Sequence, residues 1–234
     1  DCLLSRGLGD VYKRQDNKES ANRFTLKKTE IPDFTSLNIN LEDSDLNIEE
    51  SPNEKSYIEY AQATKDKKNP VSYSIENGTL TLKEAGNTGA SYYINVDISF
   101  LQAALSSKNI EDYTKESSKY ENYVTLYLPK DKLVSSAKIY LGYGDFYVKN
   151  ATFDTTNIKL DDGDFDANTL TANSGKLTFS YGDCDLQKAS LGNISLTSKD
   201  GDLTVNELTL SGKTKIALSY GCLLYTSDAA DDRI

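Results

Sequence analysis

The sequence contains no histidine and no tryptophan, and it has no long hydrophobic run. Without histidine, neither a Ser-His-Asp triad nor a histidine-ligated metal site can form. Without about 18 consecutive apolar residues, no segment is typical of a membrane-spanning helix. Arginine is scarce too, and the formal net charge is −10. An acidic chain poor in arginine argues against binding nucleic acid or an anionic membrane surface, because both need positive charge on the protein.

Methionine is also absent, and the two ends of the chain look foreign to the rest. Residues 5–15 resemble the in-frame translation of a sequencing-library adapter, and residues 222–232 resemble the reverse complement of its partner. We therefore expect 1–15 and 222–234 to be adapter artefacts that flank a native part, 16–221. Cys184 is then the one native cysteine, which allows no intrachain disulfide. A signal peptide or membrane anchor would belong to a missing N-terminal segment.

A Gly-Asp pair recurs along the second half of the chain. It stands at Gly144-Asp145, Gly163-Asp164, Gly182-Asp183 and Gly201-Asp202, and a further glycine follows at Gly221. The intervals between these glycines are 19, 19, 19 and 20 residues. Aligned on the glycines, apolar residues fall into columns at five and three residues before, and at two, four, seven and nine residues after. Each repeat thus carries three pairs of apolar positions whose members are two positions apart, and Ser198 is the one polar residue in these columns.

An i, i+2 apolar pair is typical of one inward face of a short strand, because strand side chains alternate. Three pairs per repeat at a fixed period predict a solenoid whose coils cannot bury their apolar faces alone. The fold class is therefore all-β, a single-stranded parallel β-solenoid (β-helix). Each coil of 19–20 residues is expected to hold three short strands.

The N-terminal part departs from this period. Residues 16–86 predict a β cap that contains an opening coil around Ser44-Asp45 and a hairpin turning at Asn77-Gly78. Residues 87–121 predict a partly helical insertion, and three roles are open for it: a flap that packs over the core, an element that contacts a partner, or a disordered segment. The regular coils are expected to occupy 122–221.

The segments 37–41 (LNINL) and 126–129 (LYLP), together with the repeated Gly-Asp coils, resemble the bacterial putative-adhesin family. This β-strand-repeat domain of unknown function is akin to the head GIN domain of autotransporter adhesins. The resemblance implies a bacterial protein of the cell surface or envelope, membrane-anchored or secreted, with no established catalysis. It implies no catalytic residues for this chain.

The aspartates after the glycines are candidates for a cation site. Stacked carboxylates repel one another unless they are hydrogen-bonded or bridged by a cation, and Ca²⁺ prefers oxygen ligands. The alternative is turn chemistry, in which each Asp bonds neighbouring backbone N–H groups. The candidate metal ligands are Asp145, Asp164, Asp183, Asp202, Asp162 and Asp166.

A second column precedes each glycine and reads Tyr143, Asp162, Tyr181, Asp200 and Tyr220. Exposed tyrosines beside carboxylates can stack on sugars and hydrogen-bond to them. Packing of aromatic side chains between neighbouring coils is the alternative. The candidate ligand-binding residues are Tyr143, Tyr181, Tyr220 and Tyr147.

These patterns favour a non-catalytic, adhesin-like or scaffold module that binds a surface glycan or a protein. One alternative is an extracytoplasmic sensor or accessory domain of an envelope-stress system. A polysaccharide-active β-helix enzyme is a third alternative. Glycoside hydrolysis needs a pair of acids, and with aspartates throughout the chain the sequence spacing does not show whether such a pair is present. Cys184 falls in an apolar column, where a buried thiol is structural rather than nucleophilic.

Overall fold

The computed structural model describes residues 23–63, 69–84, 93–96 and 123–225. All regular elements in these ranges are β-strands, and they form one continuous 17-stranded sheet. The strands are β1 (Arg23–Ile31), β2 (Ser36–Leu41), β3 (Asp45–Glu50), β4 (Ser56–Ala63), β5 (Val71–Glu76), β6 (Thr79–Glu84), β7 (Tyr93–Val96), β8 (Tyr123–Leu128), β9 (Leu133–Leu141), β10 (Phe146–Val148), β11 (Ala151–Asp162), β12 (Phe165–Tyr181), β13 (Cys184–Gly192), β14 (Ile194–Asp200), β15 (Leu203–Ser211), β16 (Lys215–Tyr220) and β17 (Leu223–Tyr225). Within the described ranges, no helix has the length and apolar character to cross a membrane.

The sheet winds into a parallel solenoid with three walls. The first wall stacks β6, β2, β9, the second half of β11, the end of β12, β14 and β16. The second wall stacks β8, β3, β10 and the starts of β12, β13 and β15, followed by β17. The third wall holds the start of β11, the middle of β12 and the ends of β13 and β15. The fold class predicted from the sequence is confirmed.

The strands are longer than the short segments that the apolar pairs predict. β12 runs through all three walls over 17 residues without a break. Where β12 bends from one wall to the next, it stays paired with the parallel strand of the neighbouring coil. Gly175, for example, remains in register with Thr156 of β11. From β9 onward, every coil has a break between strands at the Gly-Asp corner that joins the first and second walls. This corner, which we call the glycine corner, therefore defines the coil.

The interior consists of the apolar columns seen in the sequence. Phe146 stacks over Phe165, with ring centroids 5.1 Å apart, and Phe165 lies 5.3 Å from Phe179. Cys184 is buried in the column between Phe165 and Leu203. Burial raises the pKa of its thiol well above the ordinary value, which disfavours the reactive thiolate. Cys184 is thus part of the core.

Antiparallel strands close the N-terminal end. β1 pairs antiparallel with β4, β4 with β8, and β5 with β6. The β5–β6 hairpin turns at Asn77 and Gly78, whose φ angles are +50° and +72°. The opening coil is formed by β2 and β3, which lie in register on β9 and β10. Ser44 is buried in the position that glycine occupies in later coils.

Part of the predicted insertion lies outside the described residues. Its described section is the strand β7, which pairs parallel with β1. The predicted helical section falls within 97–122, beyond the described ranges. At the other end, β17 continues the second wall on β15, within the segment that the sequence predicts to be adapter-derived. Apolar side chains of this last coil are half exposed, among them Leu210 at 50% and Leu223 at 49%.

Candidate functional site

The glycine corner brings successive coils into close backbone contact. A Cβ added at Gly163 would lie 2.4 Å from the carbonyl oxygen of Gly144, and one at Gly182 would lie 2.3 Å from that of Gly163. The corresponding distance at Gly201 is 2.0 Å. All three of these glycines have positive φ, between +112° and +140°. Only glycine fits both the conformation and the space, so the residues on either side of it stack in straight columns.

The aspartates that follow the glycines form a ladder along the corner. Asp164 N–H donates to Oδ1 of Asp145 at 2.9 Å, and Asp183 N–H donates to Oδ1 of Asp164 at 2.8 Å. Asp202 N–H repeats the contact to Asp183 at 2.8 Å. The ladder begins at Asp45, which accepts from Asp145 N–H at 2.8 Å. Each carboxylate satisfies a backbone donor of the next coil, which is the turn chemistry that the sequence offers as the alternative to a metal site.

A glutamate takes over this role at the N-terminal end of the corner. Glu84 accepts hydrogen bonds from the backbone N–H groups of Glu42 and Asp43 at 2.5 and 2.8 Å. It also accepts one from the Ser44 hydroxyl at 2.7 Å. Sequence reasoning missed Glu84 because it lies outside the repeat. The one signal for it is its position at the end of β6, which stacks on β2.

The remaining candidate metal ligands lie in two other columns. Asp166 is in register with Asp185 of the next coil, on the outer face of the second wall. Partial burial, and then the negative charge of Asp185, raises the pKa of Asp166. Asp162 lies on the other side of the glycine, in the column of tyrosines. Within the described ranges, no three acidic or cysteine side chains are arranged to hold a metal ion.

The Ca²⁺ site remains a prediction. One oxygen of each ladder carboxylate already accepts a backbone hydrogen bond, so a cation would be bound by the other. A calcium titration followed by thermal unfolding, compared with magnesium at equal ionic strength, tests it.

The column before the glycines presents aromatic rings to solvent. Tyr143 is 68% exposed, Tyr181 60% and Tyr220 80%. Asp162 and Asp200 alternate with them, because Asp162 is in register with Tyr181, and Asp200 with both Tyr181 and Tyr220. No hydrogen bond or ion pair joins these five side chains to other described residues. We call this set the tyrosine row: Tyr143, Asp162, Tyr181, Asp200 and Tyr220.

The other tyrosines near the corner have partners. Tyr147 faces the outside of the second wall, is partly buried and accepts a hydrogen bond from Asn168 Nδ2 at 2.9 Å. The structure therefore places it apart from the tyrosine row. Tyr140, on the first wall, donates to Asp161 at 2.9 Å, and this bond raises the pKa of Tyr140 to about 12. Lys159 pairs with Asp161 at 2.6 Å and lowers its pKa.

The chain is similar to several solved structures of bacterial proteins. A "putative cell adhesion protein" from Clostridium sporogenes is 14% identical, with a TM-score of 0.48 over 87% of this chain and 100% of that one. A "putative adhesin" from Bacteroides fragilis is 10% identical, with a TM-score of 0.39 over 87% and 96%. A "putative lipid binding protein" from Parabacteroides distasonis is 10% identical, with a TM-score of 0.35 over 88% and 99%.

None of the curated proteins matches the chain. The pattern of one family does match, over residues 34–229, which include the opening coil, the cap strands that follow β1 and all the regular coils. This match confirms the resemblance to an adhesin-like β-repeat family drawn from the Gly-Asp coils. The chain belongs to the Toastrack DUF4097 family.

Proposed function

We propose that the chain is a non-catalytic, adhesin-like binding module that holds a surface glycan on the tyrosine row. The observation that supports this most directly is the exposure of Tyr143, Tyr181 and Tyr220, between 60 and 80%. Three large rings repeated along one edge are more than the scattered exposed apolar residues of an ordinary surface. Tyrosine combines an apolar face with a polar hydroxyl, which suits the faces and hydroxyl groups of sugars.

The scaffold beneath the row favours binding. Each tyrosine precedes a glycine that is fixed by close backbone contact with the coil before it. The aspartates after Gly144 and Gly182 each accept a backbone hydrogen bond from the next coil, and Cys222, after Gly221, donates its N–H to Asp202 of the coil before it. A rigid backbone lowers the entropy lost when a ligand is bound. Binding groups presented by a rigid scaffold are a common arrangement for recognition.

A role in binding rather than catalysis also agrees with the chemistry of the described side chains. The Cys184 thiol is buried and its pKa is raised. The ladder aspartates are occupied by backbone hydrogen bonds, and the chain has no histidine. Placement at the cell surface, with attachment through a segment upstream of this chain, belongs to the same proposal and derives from the family resemblance.

The test is a glycan array probed with the whole chain and with the triple variant Tyr143→Ala/Tyr181→Ala/Tyr220→Ala. We expect bound glycans to lose at least about tenfold in affinity, because stacking on all three rings is removed. The matched control is Lys138→Ala/Lys176→Ala/Lys215→Ala. These lysines are exposed on the first wall, in the same coils as the three tyrosines.

The control triple should bind as the unmodified chain does. Glycan binding that survives loss of the tyrosines would place the contact elsewhere and contradict the proposal. Absence of any glycan ligand for the unmodified chain would contradict it as well.

A further inference from the structure

The tyrosine row has a period of its own. Parallel strands stack about 4.8 Å apart, so tyrosines in every second coil recur at about 9.6 Å. The register of Tyr181, Asp200 and Tyr220 shows that these positions lie directly above one another. Tyr143 occupies the equivalent place, one residue before Gly144. The row is therefore straight, and from Tyr143 to Tyr220 it spans four coil spacings, or about 19 Å.

The two kinds of residue in the row offer different contacts. A tyrosine ring offers a flat face for stacking, and the carboxylate in the next coil accepts hydrogen bonds. Asp162 and Asp200 are free of hydrogen bonds and ion pairs with other described residues. A ligand that lies along the row thus meets a stacking face and a hydrogen-bond acceptor in alternation.

We propose that the row binds an extended, uncharged β-1,4-linked polysaccharide whose chain runs parallel to the solenoid axis. This inference rests on the proposed function and names its ligand class. Sugars in such a chain advance about 5 Å each, close to the strand spacing of about 4.8 Å. Neighbouring sugars are turned over relative to each other, so the chain repeats every two sugars. That repeat matches a tyrosine in every second coil and an aspartate in every coil between.

The charge around the row selects among polysaccharides. Asp145, Asp164, Asp183 and Asp202 lie two residues from the row positions in their own coils, and all four are exposed. Like charges brought together without compensation weaken binding. A polyuronate would place carboxylates beside these aspartates. The row therefore suits a neutral chain of the cellulose or chitin type.

The geometry disfavours two other linear ligands. An extended peptide strand repeats every two residues, at about 6.8 Å, which does not match the row. A polyproline II peptide repeats at about 9.3 Å, which does match, but such peptides dock in grooves lined by aromatic residues. The tyrosines here project from an outer corner, each separated from the next by an aspartate. A proline-rich peptide is thus the competitor that the experiment must include.

The first measurement is calorimetric titration of the whole chain with hexasaccharides of different linkage. Cellohexaose and chitohexaose represent the proposed class, and maltohexaose and laminarihexaose represent chains that curl. A hexamer of galacturonate tests charge, and a ten-residue proline-rich peptide tests the competitor. We expect the two β-1,4 chains to bind at least about tenfold more tightly than the others. A disaccharide, which reaches a single tyrosine, should bind at least about tenfold more weakly than its hexamer.

The second measurement uses a variant with the same composition and charge but a different spacing. Tyr181→Asp/Asp200→Tyr leaves three tyrosines and two aspartates in the row, with tyrosines in the first, fourth and fifth coils. Both side chains are exposed, so the thermal unfolding midpoint should stay within about 2 °C. Affinity for cellohexaose should fall to that of Tyr181→Ala, which serves as the second variant.

The outcomes separate the two proposals. Weakened binding of β-1,4 hexamers to the rearranged row supports the inference. Unchanged binding overturns it, as does tighter binding of a curled or charged glycan through the same tyrosines. If a curled or charged glycan binds more tightly through the same tyrosines, the proposed glycan-binding function stands. Selective binding of the proline-rich peptide, or no binding of any glycan, overturns both.

Discussion

Asp162 and Asp164 lie one residue to either side of Gly163, yet they have different environments. Asp164 accepts a 2.8 Å hydrogen bond from the backbone of the next coil and continues a ladder along the corner. Asp162 has no such bond with a described residue and lies in register with the exposed ring of Tyr181. The column after the glycines is therefore part of the framework, and the column before them is presented to solvent. The same residue type serves either purpose, and its position relative to the glycine decides which.

The largest expected effect comes from the glycine between the two columns. Gly182→Ala places a Cβ 2.3 Å from the Gly163 carbonyl oxygen, at a φ of +112°. We expect a loss of about 3 kcal/mol in the free energy of unfolding, from backbone strain and separation of the coils. Urea unfolding followed by circular dichroism measures it. Tyr181→Ala, at the adjacent position, should change stability by less than about 0.5 kcal/mol. Similar losses in both variants would refute the distinction between the columns.

The ladder itself should show an intermediate effect. Asp164→Ala removes the acceptor for Asp183 N–H and should cost about 1 kcal/mol in unfolding free energy. Asp164→Asn keeps an acceptor oxygen and relieves repulsion from the other carboxylates, so it should be nearly as stable as the unmodified chain. Asp162→Ala is the matched control and should be within about 0.5 kcal/mol. A loss at Asp162 equal to that at Asp164 would mean that both columns belong to the framework.

The smallest effect concerns pH and a third column, on the second wall. Partial burial, and then the charge of Asp185 and Asp164, raises the pKa of Asp166. A carboxyl with a raised folded-state pKa stabilises the fold below its unfolded pKa, and this contribution is lost as pH rises through the folded value. Asp166→Asn should thus gain up to about 0.5 kcal/mol over the unmodified chain at pH 7, and salt should reduce the gain.

For this third column, unfolding curves at pH 3.5 and 7, each at low and high salt, provide the measurement. An advantage of Asp166→Asn that is equal at both pH values would show that charge is not its cause.

The repeat made the corner predictable from sequence. Gly163 and Gly182 are 19 residues apart, so their neighbours must stack, and the separate tyrosine and aspartate columns follow from that register. The inward pairs were equally clear, because Phe165 and Leu186 fall in apolar columns and both are buried. These features depend on local spacing repeated several times.

Features outside the repeat could not be predicted in this way. Glu84 closes the aspartate ladder from a strand about 40 residues away from Ser44, which no periodic pattern reveals. Tyr147 is near the other tyrosines in sequence, but it follows the glycine and therefore lies on the second wall. There it accepts a hydrogen bond from Asn168. The unbroken course of β12 depends on pairing with coils on both sides and on Gly175, where an added Cβ would lie 1.9 Å from the carbonyl oxygen of Thr156.

The alternation of tyrosine and aspartate has a consequence for how such a chain varies in length during evolution. The framework repeats after one coil, and gain or loss of a 19-residue unit preserves the glycines, the ladder and the apolar columns. The solvent-facing row repeats only after two coils. Loss of residues 164–182 would keep the fold intact and set Asp162 directly beside Asp200. Duplication in pairs of coils lengthens the row without altering its rhythm, whereas a single duplication interrupts it, so the number of coils is tied to what the surface presents.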